Sequence, residues 1–349
     1  MEYPSFSTPP SGSIRFNTDS SKLEIYNGEA WWEINGTLGF EGSANSARWV
    51  TGGGYDPSVS NVIQYVQIPT TGNAVDFGNL TENKIGAAAC ASSTRGIFSG
   101  RAEAPADTDT IDYITISSTG NASDFGNLAS AMGYASAMGD KTRGLICGGA
   151  DVPSPYTSLN SIQYVTFSST GNTTDFGDMY GALYNTQALS SPTRGIVAGG
   201  SPTPDGTNTI GYVTIQSTGN TNDFGDLITA YLMGGPGASN ATRGMFGAGN
   251  YAASPTITAQ VQYIEIATTG NAADFGDLTV ARDSGSAGSS ATRAVFGGGR
   301  TGPPAAEALK DTLDYVEIKS LGNGIDFGDL LAAVRYNTGF SNTNGGVQG

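Results

Sequence analysis

The sequence contains no histidine and only two cysteines, Cys90 and Cys147. Without histidine the chain cannot build a Ser-His-Asp or Cys-His nucleophile system, or a metal site that uses histidine. Two cysteines at different positions of a repeated sequence are too few for a Cys₄ zinc site and do not suggest a disulfide framework, so we expect both to be small core residues. We expect no catalytic residue, no metal and no cofactor.

Charged residues are also scarce, at 13% of the chain, and the 16 basic residues are outnumbered by 31 acidic ones. A net charge of −15 argues against a nucleic-acid partner, which requires clustered lysine and arginine. No apolar run approaches the roughly 18 residues that span a membrane. The Met1-Glu-Tyr-Pro4 start resembles no signal peptide, so no membrane span and no Sec-type export are expected.

The chain does contain a sequence repeated six times. An Asp-Phe-Gly triplet recurs at nearly even intervals, beginning at Asp76, Asp124, Asp175, Asp223, Asp274 and Asp326. A second motif, mostly Thr-Arg-Gly followed by apolar residues and glycines, recurs at Arg48, Arg95, Arg143, Arg194, Arg243 and Arg293. Repeats of this length are typical of propellers and solenoids, and they predict one body rather than several domains.

Each repeat divides into four candidate strands. The first consists of very small residues, as in residues 86–92; the second begins at the motif arginine; the third alternates around a tyrosine; the fourth passes through the triplet. The step from the third-strand tyrosine to the triplet phenylalanine is identical in all six repeats, as from Tyr65 to Phe77. This pattern predicts an all-β fold, a six-bladed β-propeller of four-stranded blades over residues 37–349, with the first strand innermost.

Closure of such a ring needs a first strand for the first blade, and two segments compete for that place. One is residues 42–46 and the other is residues 336–342. The C-terminal segment keeps the repeat spacing, so we expect it to pair with the strand that begins at Arg48.

Residues 1–36 do not fit the repeat. Residues 11–34 alternate apolar and polar positions, with turn sequences at 18–21 and at Asn27-Gly28, which predicts a three-stranded meander. So small a sheet cannot bury its own aromatic residues. We therefore expect this segment to mediate docking or oligomerisation, most simply as a trimer, through Phe16, Tyr26, Trp31 and Trp32.

Length varies mainly between the motif arginine and the tyrosine, where the step is shortest from Arg48 to Tyr65 and longest from Arg293 to Tyr315. In a four-stranded blade these connections all open on one side, which we expect to bind a partner. The motif arginines and triplet aspartates are interpreted as structural partners; the alternative is a ring of sugar-binding arginines. The candidate ligand-binding residues of the variable connections are Tyr55, Asp56, Arg101, Tyr156, Asp205, Tyr251 and Arg300.

The copies of Tyr-Val-x-Ile-x-Ser-Thr-Gly-Asn-Ala-x-Asp-Phe-Gly-Asp-Leu and Thr-Arg-Gly-x-Phe-x-Gly-Gly resemble repeats of virion structural or tail-fibre proteins of tailed phages, especially cyanophages. The segment from Gly12 to Ile34 is similar to an element of phage fibre proteins, and the repeats are distantly kelch-like. The resemblance implies a non-enzymatic virion component, exposed on the particle after assembly in the host cytoplasm. Implied partners are other virion proteins and a host cell-surface glycan or protein. The alternative is a glycan-degrading enzyme domain of a viral fibre.

Overall fold

The structure, a computed structural model, describes residues 9–17, 22–33, 47–101, 108–151, 157–201, 206–251, 257–302 and 307–343. All regular elements in these ranges are β-strands, so the predicted all-β class is confirmed. The same ranges contain no helix that could cross a membrane. Contacts divide the chain into two compact units, Met1–Glu41 and Gly42–Gln348. The predicted boundary at residue 36 lies outside the described residues.

The first unit contains the predicted three-stranded meander. Its antiparallel strands are Ile14–Asn17, Lys22–Tyr26 and Trp31–Glu33. The second turn forms at Asn27-Gly28 because the Asn27 side chain accepts hydrogen bonds from the backbone of Glu29 and Ala30, and Gly28 supplies a positive φ of 106°. The other predicted turn, at residues 18–21, lies outside the described part.

The second unit contains the six predicted sets of four antiparallel strands, paired in the order first, second, third, fourth. We name these the inner, arginine, tyrosine and outer strands, and number the repeats by the order of their triplets. The sets, in that strand order, are Thr338–Ser341, Arg48–Gly52, Val62–Gln67 and Val75–Asn79; Ala88–Ala91, Arg95–Ser99, Thr110–Thr115 and Ser123–Asn127; Ser136–Gly139, Arg143–Cys147, Ser161–Thr166 and Thr174–Asp178; Gln187–Ser190, Arg194–Ala198, Thr207–Thr214 and Asn222–Gly234; Gly237–Ser239, Arg243–Tyr251, Ile257–Glu265 and Ala273–Asp277; and Ser286–Ser289, Arg293–Gly297, Thr312–Glu317 and Ile325–Asp329.

Four of these sets are separate sheets, whereas repeats four and five merge into one eight-stranded sheet. The outer strand Asn222–Gly234 runs on past its triplet and pairs with the arginine strand Arg243–Tyr251 of the next repeat. The extension carries β-favouring residues such as Ile228 and Tyr231, and the step from Phe224 to Arg243 is longer than its equivalents in the other repeats. The prediction of six separate four-stranded sheets is therefore only partly confirmed.

Three small sheets lie in the variable connections and linkers. Two are two-stranded, Tyr55–Asp56 with Ser58–Val59 and Arg300–Thr301 with Ala308–Leu309, and one is three-stranded, Met132–Gly133, Ala150–Asp151 and Thr157–Ser158. The connections begin against the linkers that lead from outer to inner strands. Tyr55, for example, donates a backbone hydrogen bond to Arg335 O, and Arg101 donates one to Met132 O. The variable connections and linkers of the described residues therefore share one side of the sheets, as expected.

The buried apolar side chains of the described residues form six clusters, and each cluster joins two neighbouring repeats. One cluster packs Phe77 of the first repeat against Phe98 of the second. Another packs Trp49 of the first repeat against Val295 of the sixth. Inner strands likewise contact the inner strands of both neighbouring repeats, including the first and the sixth. The core therefore lies between sheets, and the sixth repeat packs against the first as well as against the fifth.

Hydrogen bonds join the same neighbouring repeats along the outer strands. In each repeat, the glycine of the Thr-Gly-Asn or Leu-Gly-Asn turn donates its N–H to the triplet phenylalanine carbonyl of the preceding repeat, at 2.7 to 3.0 Å, as Gly120 does to Phe77. The adjoining asparagine accepts an N–H from the same strand, as Asn121 does from Asn79. The first repeat completes the pattern, because Gly72 donates to Phe327 of the sixth.

The triplet glycine is required for this close approach. Gly78 has a φ of 147°, and a Cβ there would collide with the backbone of Gly120 in the next repeat. Its equivalents in the other five repeats meet the following turn in the same way. The third residue of the triplet is therefore glycine in all six repeats, because the backbone of the next repeat's turn lies against the outer strand at this position.

The C-terminal segment supplies the inner strand of the first repeat. Thr338–Ser341 pairs with Arg48–Gly52, and Phe340 lies against Phe98 with ring centroids 5.1 Å apart. The prediction that this segment completes the first sheet is confirmed. The competing segment, residues 42–46, lies outside the described residues.

Candidate functional site

The motif arginines have a structural role, as predicted. Each guanidinium stacks on the tyrosine of its own repeat, with 4.5 to 4.8 Å from Cζ to the ring centroid. The tyrosine rests edge-on against the triplet phenylalanine. Each arginine also donates from Nη1 to a backbone carbonyl just after the tyrosine strand of the next repeat, at 2.7 to 3.3 Å; the acceptors are Ile116, Phe167, Ile215, Ile266, Ile318 and Pro69.

The triplet aspartates do not share this role, and the prediction that they are structural partners of the arginines is wrong. All six are exposed, because alternation along the outer strand turns the phenylalanine inward and its neighbours outward. Asp274, for example, accepts a hydrogen bond from the exposed side chain of Gln260.

Replacing Arg95 by alanine should lower the free energy of unfolding by about 1 to 3 kcal/mol, because the part-buried carbonyl of Phe167 loses its donor and Tyr113 loses its stacking partner. Urea-induced unfolding measures the change. Asp124→Ala is the control in the same repeat and should stay within about 0.5 kcal/mol of wild type. A stable Arg95→Ala protein would reassign the arginines to ligand binding.

The candidate ligand residues of the variable connections are placed as follows. Tyr55, Asp56 and Arg300 are half-buried, whereas Arg101 is only 7% exposed. Tyr156 and Asp205 lie outside the described residues, as does the side chain of Tyr251, whose backbone ends an arginine strand. The attachment candidate Trp32 also has its side chain outside the described part.

Three of these candidates belong to one cluster of aromatic and charged side chains. Arg300 pairs with Asp283 and Glu307, both at 2.8 Å, and Glu307 also pairs with Arg335 at 2.7 Å. The Arg335 guanidinium lies over the rings of Tyr55 and Tyr336, at 5.1 and 5.3 Å. Tyr336 contacts Tyr134, on which Arg101 stacks at 4.6 Å. These contacts fix the linkers and variable connections around the starts of the inner strands.

A cavity of about 140 Å³ lies at those strand starts and is lined by all six repeats. A bulky residue rarely adopts a positive φ, whereas glycine and asparagine tolerate it, so the two tyrosines at this position are unusual. Backbone hydrogen bonds link these positions from one repeat to the next, as from Tyr134 N–H to Gly86 O. The lining residues that lie just before an inner strand and have a positive φ, of 55° to 61°, are Gly86, Tyr134, Asn185, Ser284 and Tyr336.

Tyr134 and Tyr336 come together because the repeat between them has no side chain at the same position. A Cβ on Gly86 would lie 2.9 Å from the Tyr134 ring. The two rings meet at a centroid distance of 5.8 Å, and Tyr184 packs against Tyr134 at 6.4 Å. One side of the cavity therefore carries aromatic rings, and the opposite side, at Gly235 and Ser284, carries small residues.

Buried ionisable pairs lie between the sheets. Lys84, on a linker, is 3.9 Å from Asp112 of the next tyrosine strand, and both side chains are fully buried. Burial raises the pKa of Asp112, and the charge of Lys84 opposes that rise. Arg282 and Asp314 form the equivalent pair between the fifth and sixth repeats, and burial lowers the pKa of Arg282.

The two cysteines are free and buried, as expected. Burial raises the pKa of both thiols, which keeps them protonated and unreactive at neutral pH.

No protein-family model and no curated protein matches this chain. Among the described residues no group of three or more His, Cys, Asp or Glu side chains could hold a metal ion.

Sequence reasoning missed Tyr134 and Tyr336, which line the cavity, Arg335, which lies against Tyr336, and Gln187, which also lines the cavity. Aligning the repeats on their phenylalanines could have found the two tyrosines. Both stand at the same distance after that phenylalanine, where another repeat has Gly86. The same alignment separates Gln187 from the other buried glutamines, because it stands where two other repeats have Ser136 and Ser286.

Proposed function

We propose that this chain is a non-enzymatic structural protein of a tailed-phage virion, in which the six strand sets form the blades of a β-propeller. The observation that carries the architecture is the set of contacts that continues from the sixth repeat to the first. Core packing, the arginine bonds and the turn bonds all include that step, for example in Arg293 to Pro69 O. The virion assignment rests on the resemblance of the repeats and of the N-terminal segment to phage fibre proteins.

Such a propeller is suited to presenting the variable connections on the surface of a particle. Its contacts between repeats use positions that recur six times, so the connections after the arginine strands vary in length without disturbing them. Those connections lie on one side of the sheets. We propose that this side faces outward on the particle and contacts the host cell surface or another virion protein.

The N-terminal sheet has the surface expected of an attachment element. Ile14 and Phe16 alternate on one face of their strand and are each 61% exposed, and Ile25 lies opposite Ile14. The other face is covered within the sheet, since Arg15 pairs with Glu24 and lies over Trp31, which packs on Tyr26. An apolar face of this kind is suited to docking on a virion protein or on further copies of the chain.

Labelling of purified particles tests the proposal. An antibody raised against this chain should decorate intact particles in electron micrographs, on the tail, the neck or the capsid. Failure to find the chain in purified particles, by labelling and by mass spectrometry, would overturn the virion assignment. Shortened products after incubation with host-surface polysaccharide would favour the glycan-degrading alternative.

The N-terminal face gives a separate prediction about assembly. The full chain should be oligomeric, with a trimer expected, or should bind a virion protein, whereas residues 37–349 alone should be monomeric. Light scattering measures the first property and a pull-down with particle proteins the second. Phe16→Ser should act like the truncation, because it replaces an exposed apolar residue, and Asn17→Ser in the same strand is the control. A full chain that is monomeric and binds no particle protein would contradict the attachment role.

A further inference from the structure

The motif arginines of the fifth and sixth repeats each bind a glutamate through a second edge of the guanidinium. Arg243 donates from Nε and Nη2 to Glu265, at 2.9 and 2.7 Å. Arg293 donates from Nε to Glu317 at 2.7 Å, and each glutamate stands directly opposite its arginine on the tyrosine strand. The Nη1 atom of both arginines still bonds to the backbone of the next repeat. A motif arginine can therefore join two repeats and hold a carboxylate at the same time.

The same guanidinium edge is open in the second, third and fourth repeats. There an exposed threonine stands opposite the arginine, in the pairs Arg95–Thr115, Arg143–Thr166 and Arg194–Thr214. Among the described residues these three guanidinium groups donate hydrogen bonds only through Nη1. Their Nε and Nη2 atoms are not buried, so they reach solvent. Three consecutive repeats thus present a guanidinium edge that a partner can contact.

These edges lie on the side of the sheets opposite to the variable connections. Each motif arginine begins its strand, and the other end of that strand leads into a connection. The turns on the arginine side follow a step from tyrosine to phenylalanine that is identical in all six repeats. This side therefore has a constant geometry, which suits a partner of fixed structure.

We propose that the open edges of Arg95, Arg143 and Arg194 bind carboxylates of an acidic segment of a virion protein. A guanidinium presents its donors in a planar fork that matches a carboxylate. The tyrosine stack and the Nη1 bond hold each guanidinium in place before the partner arrives, so little side-chain freedom is lost on binding. This inference rests on the proposed function, and it adds a contact with the particle on the side that the variable connections do not occupy.

Fluorescence anisotropy of a labelled decaglutamate peptide with the full chain tests the contact. The net charge of −15 on the chain opposes non-specific binding of this peptide, so binding requires a local cationic site. We expect decaglutamate to bind, decaglutamine not to bind, and added salt to weaken the complex. Unlabelled decaglutamate should displace the probe more effectively than polygalacturonate, an acidic glycan.

A variant that fills the three edges from within the chain removes the site and keeps the arginines. The triple variant Thr115→Glu, Thr166→Glu and Thr214→Glu copies the arrangement of Glu265 and Glu317. It should weaken decaglutamate binding about tenfold or more, because the charge-assisted bonds to the peptide are lost. Its melting temperature should stay unchanged or rise, because every arginine keeps its stack and its Nη1 bond.

Two further variants separate the site from the overall charge. Ser58→Glu, Thr157→Glu and Ala308→Glu together add the same charge at exposed positions of the variable connections, and this control should bind nearly as well as wild type. Glu265→Thr combined with Glu317→Thr opens two more guanidinium edges and should strengthen binding several-fold.

Absence of decaglutamate binding by the wild-type chain would overturn the inference. Equal weakening by the two triple variants would overturn it as well, since net charge alone would then control binding. Stronger displacement by polygalacturonate would assign the edges to an acidic glycan instead of a protein. None of these results bears on the presence of the chain in particles, which antibody labelling decides separately.

Discussion

Lys84→Met should lower the free energy of unfolding by about 3 to 5 kcal/mol, because it leaves the buried carboxyl group of Asp112 without its cation. Adding Asp112→Gln should restore most of that loss. The double variant copies the neighbouring repeat, in which Met132 and Gln163 stand at the same two positions. There Gln163 accepts the Ala129 N–H, so the replacement glutamine has an equivalent donor available at Thr81, whose N–H already bonds to Asp112.

The pH dependence gives this prediction a second readout. Burial raises the pKa of Asp112 in the folded state, so the folded chain binds the proton more tightly than the unfolded chain does. Stability from this group is therefore greatest at low pH and falls as pH rises through the folded pKa. Without Lys84 the rise in pKa is no longer opposed, so the deficit of Lys84→Met should shrink on acidification. The double variant should lack this dependence, and urea titrations at several pH values measure both.

If Lys84→Met were as stable as wild type at neutral pH, the pairing of Lys84 with Asp112 would not stabilise the fold. A double variant no better than the single one would show that Lys84 acts through its other contacts, with Glu82, Gly100 O and Thr110 O, instead of through Asp112.

Removal of residues 338–349 should abolish cooperative folding of the six-repeat unit. The deletion takes away the strand Thr338–Ser341, exposes the edge of Arg48–Gly52 and opens the cluster around Phe340 and Phe98. Loss of a buried phenylalanine alone costs about 3 to 5 kcal/mol. We expect the truncated chain to aggregate or to melt without a sharp transition in calorimetry.

Two further variants serve as controls for the deletion. Removal of residues 344–349 alone leaves the strand in place and should keep a sharp transition. Phe340→Ala keeps the backbone pairing and should melt cooperatively at a lower temperature. A chain lacking 338–349 that stays monomeric and melts like wild type would show that another segment completes the first sheet.

The repeat made much of the fold predictable. The fixed step from tyrosine to phenylalanine placed the tyrosine and outer strands, and the Tyr113–Phe125 contact is what that spacing holds together. The C-terminal strand was predictable because its spacing from Phe327 matched the other repeats. In both cases the signal was a recurring number of residues between two motif positions, whatever the residues between them were.

Features that break the repeat were not predictable in the same way. The continuation of the outer strand to Gly234 depends on pairing with the arginine strand that ends at Tyr251, a contact between repeats that no local pattern shows. Arg101 was expected to bind a ligand, but it is 7% exposed and stacks on Tyr134, because its backbone bonds to the linker at Met132 O. Gln187 lacks a hydrogen-bond partner among the described residues only because the next repeat has Gly235 opposite to it.

The outer strands of the six repeats are not free edges, because the following turn occupies each of them. Asn79 and its equivalents donate their N–H to an asparagine of the next repeat, so amides at the outermost strand of each sheet are held by a neighbour. Hydrogen exchange at these positions should consequently be slow and should require two repeats to separate. These bonds oppose strand addition by another chain at the outer strands, so we expect limited proteolysis to cut first in the variable connections.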